Sequence, residues 1–199
     1  MARVGTASVT PLPVRGYNWA TMTDAALVRA ALDGDSGAFT TLVDRHLRVC
    51  LRFATRMLGS VEDAEDATQE TFLRAHRALA RYDGSTEFRT WLISILLNRC
   101  RTMLRSHGRR SAVIVADDRA VASAAARSLL DDEMLRDAIE RAVARLEPAQ
   151  REAFLLRHVE QLSYEEMHQA TGVGISALKM RVQRACDRLQ GLLREDRHA

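Results

Sequence analysis

The chain has 199 residues, enough for one large domain or two small ones, and with 47% hydrophobic residues, 28% charged residues and three prolines it is neither disordered nor fibrous. Its formal charge is only +3 and Lys179 is the sole lysine among 29 basic residues, so a nucleic-acid surface would have to be a local concentration of arginine. No apolar stretch approaches the ~18 residues of a membrane span and no signal-peptide apolar region opens the chain, which points to a soluble cytoplasmic protein.

Residues 1–22 hold Pro11, Pro13 and Gly16 without a helical period and read as a flexible N-terminal extension; translation from Met22 would leave the rest intact. From Thr23 to about Arg105 apolar residues recur at three and four: Leu27 and Ala31, then Phe39, Leu42, Leu47, Cys50, Ala54 and Met57, then Val61, Ala64, Thr68, Phe72, Ala75 and Leu79. That spacing predicts amphipathic helices broken at Gly34, Gly59 and Gly84, and nowhere does the chain keep the period of two of a half-buried strand. Residues 107–130 keep no face and read as a linker.

Helical order resumes at Asp131, where acidic residues suit a helix N-terminus and Leu135, Ile139, Ala142 and Leu146 form a stripe. Pro148 opens the next helix from its first turn, where a missing N–H costs little. Ser163 and Glu166 form a capping box for a further helix ending near Gly172. Ile175, Leu178, Val182, Ala185, Leu189 and Leu192 make the stripe of the last. The expected fold is therefore all-α: two small helical domains, 23–106 and 131–199, joined by a flexible linker.

Three clusters carry candidate chemistry. The helices flanking Gly172 have the order of a helix-turn-helix, and the face of the second opposite its apolar stripe holds Ser176, Lys179, Met180, Gln183 and Arg184, flanked by Arg181 and Arg188. Arginine, lysine and glutamine there suit base edges and phosphates; a packed hairpin with a solvated charged face fits the same pattern. A second stretch, Arg89 to Arg110, contains six arginines and no acid, with Thr90, Ser94, Asn98, Arg101 and Arg105 on one stripe and Tyr82, Phe88 and Trp91 close by. Basic residues interleaved with aromatics suit nucleic acid, although an isolated helix with a solvated face would look alike. The third is acidic: Glu62, Asp63, Glu65, Asp66 and Glu70. Part of it complements a helix dipole, and the remainder suits a basic protein partner.

Catalytic readings find no support. Asp117 and Asp118 fall in the linker, no G-x-S-x-G or phosphate-cradling loop is present, and His158 and His168 lack metal-type spacing. Cys50, Cys100 and Cys186 are too dispersed for a short chelating motif and read as reduced thiols. Neither a cofactor nor a metal is expected.

At this point four segments resemble the successive signatures of the extracytoplasmic-function (ECF) group of bacterial RNA polymerase sigma factors: GDSGAFTTLVDRH (34–46), DAEDATQETFLRAHRAL (63–79), STEFRTWLISILLNRCRTMLR (85–105) and LSYEEMHQATGVGISALKMRVQRACDRL (162–189). The likeness covers nearly everything after residue 22, in the family's order. It implies a non-enzymatic initiation factor that docks on core RNA polymerase at the beta-prime clamp helices and the beta flap and binds promoter DNA. Asp66, Gln69 and Glu70 would meet the clamp helices. Asp83, Ser85, Thr86, Trp91, Asn98, Arg101 and Arg105 would engage a melted minus-10 element. Ser176, Lys179, Met180, Arg181, Gln183 and Arg184 would engage the minus-35 element. An anti-sigma protein is the family expectation for a regulator, though no sequence feature requires one. Three departures stand out: the T-V-K-S-R usual in the recognition segment reads Ala177, Leu178, Lys179, Met180, Arg181; His168 replaces a small residue; and Arg101 stands where the family is often acidic. The competing class is a helix-turn-helix regulator that binds duplex DNA alone, which the acidic and acid-free helices of the first domain disfavour. An enzyme acting on DNA is the more distant alternative, lacking a candidate nucleophile.

Overall fold

A computed structural model describes the backbone of residues 18–111 and 130–198, and the side chains of 18–107 and 137–195. The expected extension as far as residue 17, linker residues 112–129 with Asp117 and Asp118, and the side chain of Leu135 lie outside the described residues. What is described is helical: α1 (Asp24–Leu32), α2 (Ser36–Leu58), α3 (Val61–Ala78), α4 (Phe88–Ser111), α5 (Leu130–Ala144), α6 (Pro148–Phe154), α7 (Tyr164–Thr171) and α8 (Ile175–His198). A single turn of 3-10 helix, Trp19–Thr21, precedes α1, and another, Leu79–Arg81, follows α3. The five residues Leu155–Val159 continue α6 as a π-helical turn.

Local chemistry accounts for most boundaries. Thr23 and Ser60 cap α1 and α3, their hydroxyls accepting from the backbone N–H groups of Ala26 (3.3 Å) and Asp63 (3.2 Å). Pro148 occupies the first turn of α6. The Ser163–Glu166 capping box is present in both directions at α7: Glu166 N–H to the Ser163 hydroxyl at 3.2 Å, and Ser163 N–H to the Glu166 carboxylate at 2.7 Å. Gly172 ends α7 in the left-handed region at φ 70°, which a side chain would resist.

By packing, the chain divides into two units, Met1–His46 and Leu47–Ala199. In the first, Asp24 at the head of α1 accepts from His46 Nε2 at 2.7 Å and forms an ion pair with Arg45. This settles the register of α2. The expected stripe placed Leu47 inside, but Leu47 is 40% exposed while His46 is buried, because the core-facing series runs Leu42, His46, Cys50 and Ala54, and Asp24 satisfies the one polar member. Val61, also assigned to a stripe, is exposed as the first residue of α3.

In the second unit α3 packs on α4, α4 on α7, and α8 receives α5, α6 and α7. The α8 stripe of Leu178, Val182, Ala185, Leu189 and Leu192 is buried throughout. Arg151 on α6 fixes two helix ends at once: it donates to the carbonyls of Val143 (3.1 Å) and Ala144 in the last turn of α5 and of Leu146 (3.2 Å) just past it, and to the Met57 carbonyl at the end of α2 (2.9 Å). Helix C-termini leave such carbonyls without intrahelical partners, and a cation is the favoured group to take them.

The capping box makes a stability prediction. Ser163→Ala removes one partner and should cost about 1 kcal/mol. Hydrogen bonds from the Ser163 side chain and then its backbone hold the Glu166 carboxyl below its ordinary range. A depressed carboxylate stabilises the fold at neutral pH and loses that contribution as pH falls through its folded value. Wild type should therefore unfold at higher temperature than Glu166→Gln at pH 7, with the gap closing in acid; a gap that is constant with pH would contradict the assignment.

Candidate nucleic-acid interface

The loop between α3 and α4 is shaped by its own polar groups. Asp83 accepts from the Ser85 N–H at 2.9 Å, Gly84 turns the chain at φ 74°, and the Tyr82 hydroxyl donates to the Thr86 carbonyl at 2.6 Å. Tyr82, Phe88 and Trp91 form an aromatic cluster with centroids 5.1 to 5.7 Å apart. Tyr82 and Trp91 of this cluster line a cleft together with Asp83, Ser85, Thr86, Thr90, Ser94 and Gln169 of α7. Thr90 is 1% exposed and its hydroxyl has no hydrogen-bond partner, an unusual state for a buried polar atom. The expected residues Asp83, Ser85, Thr86 and Trp91 thus converge on one cleft. Asn98 and Arg105 are exposed further along α4.

The stretch 89–110 is free of acid in sequence but not in space. Glu152 of α6 accepts two hydrogen bonds from Arg101, Nε and Nη2 each at 2.7 Å, and Glu160 forms an ion pair with Arg89. Both carboxylates are buried, at 4% and 1% exposure, whereas the two arginines keep about a third of their side chains in solvent. The bond to Glu152 raises the Arg101 pKa above its ordinary value. Arg101 in this structure therefore faces α6, and only Asn98 and Arg105 of the expected α4 stripe stand fully exposed.

On α3, Asp66 and Gln69 are exposed and Glu70 is half-buried, paired with Arg74 at 2.7 Å. That hydrogen bond leads the causes that hold the Glu70 carboxyl below its ordinary range. These three residues share a shallow cleft with Leu73, which is 47% exposed, and with Arg99 of α4. The sequence reading missed Leu73 and Arg99. Leu73 was legible in principle, since it lies three, four and seven residues after Glu70, Gln69 and Asp66 and so on their face.

Across the helix-turn-helix, His168 Nδ1–H donates to the Val173 carbonyl at 2.9 Å, so the larger residue braces the turn between α7 and α8. Ser176, Lys179, Met180, Gln183 and Arg184 are exposed on α8 and Arg181 is half-buried. The Lys179 ammonium lies 5.6 Å from the Tyr164 ring centroid, and the Arg157 guanidinium 5.1 Å from the same ring. Gln183 donates to Asp187 at 2.9 Å. The three cysteines are free thiols, and burial pushes both Cys50 and Cys100 up to about 12. No group of His, Cys, Asp and Glu suited to a metal occurs among the described residues, and no described helix is long and apolar enough to cross a membrane.

The family model for sigma-70 region 2 matches residues 42–110, and that for sigma-70 region 4 matches 136–189. The chain is 34% identical over 163 residues to the RNA polymerase sigma factor CarQ of Myxococcus xanthus, covering 82% of this chain and 93% of that one. It belongs to the sigma-70 family, as an ECF-type sigma factor. To the ECF RNA polymerase sigma-E factor of Haemophilus influenzae it is 30% identical over 179 residues, 85% of this chain and 94% of the relative. The solved sigma factor RpoE of Bartonella quintana, in complex with the anti-sigma factor NepR, superposes with a TM-score of 0.66 at 28% identity, over 78% of this chain and 96% of that one. This sigma factor is accordingly a non-catalytic initiation factor that acts with RNA polymerase on promoter DNA.

In this sigma factor the Arg101–Glu152 pair should be asymmetric to mutation. Arg101→Ala strands a buried carboxylate and should destabilise the packed state by about 3–5 kcal/mol. Glu152→Ala strands a guanidinium that already reaches water and should cost less. Arg101→Met with Glu152→Leu should recover most of the loss. Urea denaturation of the three variants checks this; equal costs for the two single changes would contradict the burial argument.

Proposed function

We propose that the cleft beside Tyr82, Phe88 and Trp91 receives an unstacked base of the minus-10 element, and that Thr90 supplies the hydrogen bond that its buried hydroxyl lacks in the free protein. The convergence of the Tyr82 and Trp91 rings with Asp83, Ser85 and Thr86 on one cleft carries this reading, because it sets a stacking surface beside hydrogen-bonding groups; the Thr90 hydroxyl, enclosed and without a partner in the free protein, joins them when its side chain turns toward the cleft. Asp83, Ser85 and Thr86 line the same cleft, Trp91 offers a stacking face, and Asn98, Arg101 and Arg105 follow the melted strand along α4.

On the opposite charge, Asp66, Gln69 and Glu70 dock on the beta-prime clamp helices of core RNA polymerase, with Leu73 as an apolar anchor and Arg99 at the edge of the patch. The exposed face of α8 enters the major groove at the minus-35 element through Ser176, Lys179, Met180, Gln183 and Arg184, with Arg181 beside them, and the C-terminal region meets the beta flap. The protein works in the cytoplasm. An anti-sigma factor is its regulator, a reading supported by the complex in which the Bartonella quintana relative was solved.

Two substitutions test the site assignments. Thr90→Val keeps the shape and deletes the unsatisfied hydroxyl, so stability should be unchanged or raised while promoter opening falls. Permanganate reactivity of minus-10 thymines in the holoenzyme complex reports the opening; reactivity at the wild-type level would remove Thr90 from the site. Asp66→Arg with Glu70→Arg should weaken co-purification with core polymerase at unchanged helical circular dichroism, since both side chains reach solvent and the charge reversal meets a basic partner. Wild-type recovery of the complex would contradict the docking surface.

A further inference from the structure

Projected at about 100° per residue, Met180 stands about 160° from both Leu178 and Val182, so it occupies the middle of the face opposite the buried stripe of α8. It is 53% exposed, among the few large apolar side chains that solvent reaches, and it lies in the first two turns, the part of a recognition helix that meets base edges. Ala177, one turn back, is exposed as well, so an apolar pair interrupts an otherwise polar face. Two of the neighbouring polar groups are already engaged within the protein: Lys179 lies against the Tyr164 ring, and the Gln183 amide donates to Asp187. In the first two turns of α8 the most central side chain on this face can neither donate a hydrogen bond nor carry charge, and only one base-pair feature in the major groove rewards such a group: the C5-methyl of thymine.

We infer that Met180, with Ala177 beside it, is a specificity-determining contact that reads a thymine methyl group in the minus-35 element. The inference rests on the minus-35 reading of α8. Arg184 and Arg188 flank the pair on the exposed face and hold the helix to the phosphates, while Met180 adds preference without adding charge. Its unbranched thioether chain reaches across a groove and adapts its rotamer to the methyl it covers. The hydroxyl side chains that the T-V-K-S-R pattern would place at 177 and 180 would instead favour hydrogen-bonding edges, so this chain's minus-35 preference departs from that of a factor carrying them.

The test uses the chain bound to core RNA polymerase and duplex DNA randomised across the minus-35 region. Bound sequences are recovered, and each selected thymine is then replaced by deoxyuridine, which deletes only the C5-methyl. For wild type at least one position should be selected as thymine, and its deoxyuridine version should bind about fourfold more weakly, the worth of one buried methyl. Met180→Ser, which leaves an exposed site and the fold intact by circular dichroism, should bind the thymine and deoxyuridine duplexes equally. Equal binding of both duplexes by wild type, while Lys179, Arg181 and Arg184 changed together to Ala still weaken minus-35-dependent binding, would overturn the inference and leave the minus-35 reading standing. No effect of either the triple change or the minus-35 sequence would overturn both.

Discussion

Two adjacent residues on α6, Arg151 and Glu152, hold the second unit together by reaching different helices. Arg151 gathers carbonyls at the ends of α5 and α2, and Glu152 takes the guanidinium of Arg101 on α4. Both are charges placed where burial is expensive. Burial alone lowers the Arg151 pKa, and Glu152 is almost wholly removed from water. Such groups are costly without partners, so α6 sits where helix-end carbonyls and Arg101 are supplied together. Glu160, delivered to Arg89 after the π-helical turn, adds a second pairing on α4 and leaves one carboxylate oxygen without a partner.

That arrangement bears on how the protein works. Glu152 takes the Nε and Nη2 donors of Arg101 bidentately, which leaves the Nη1 side of the guanidinium to other acceptors. A promoter phosphate at Arg101 would meet that remaining side, with Glu152 holding the guanidinium in place. The charge on α4 thus already serves the free fold, and the proposed role on DNA would fall to the donors that these pairings leave over.

Most of the architecture was legible in the sequence because its signals are local. The capping box, the proline at the head of α6, the left-handed Gly172 and the apolar stripe of α8 each act within a few residues, and each stands in the structure where the spacing put it. The register of α2 was not legible, because His46 becomes a core residue only through Asp24, 22 positions away. Glu152 and Glu160 were invisible as partners of an apparently acid-free helix for the same reason: their pairings span 51 and 71 positions. Of the candidate site, the residues that converge on the Trp91 cleft follow largely from one loop and the helix after it, and Leu73 shares the α3 face of the acidic patch, whereas Arg99 joins that patch only when α3 and α4 are packed together.

The central claim, that this chain confers promoter-directed initiation on RNA polymerase, is tested most directly by run-off transcription. Core RNA polymerase freed of its own initiation factor is supplied with the chain and with linear templates whose upstream sequences the mixture has selected from random duplex DNA. The account predicts discrete transcripts from a fixed start, absent without the chain and absent when the chain is added to DNA alone. Transcript levels that are the same with and without the chain, together with tight duplex binding by the chain on its own, would contradict it and identify an autonomous helix-turn-helix regulator instead.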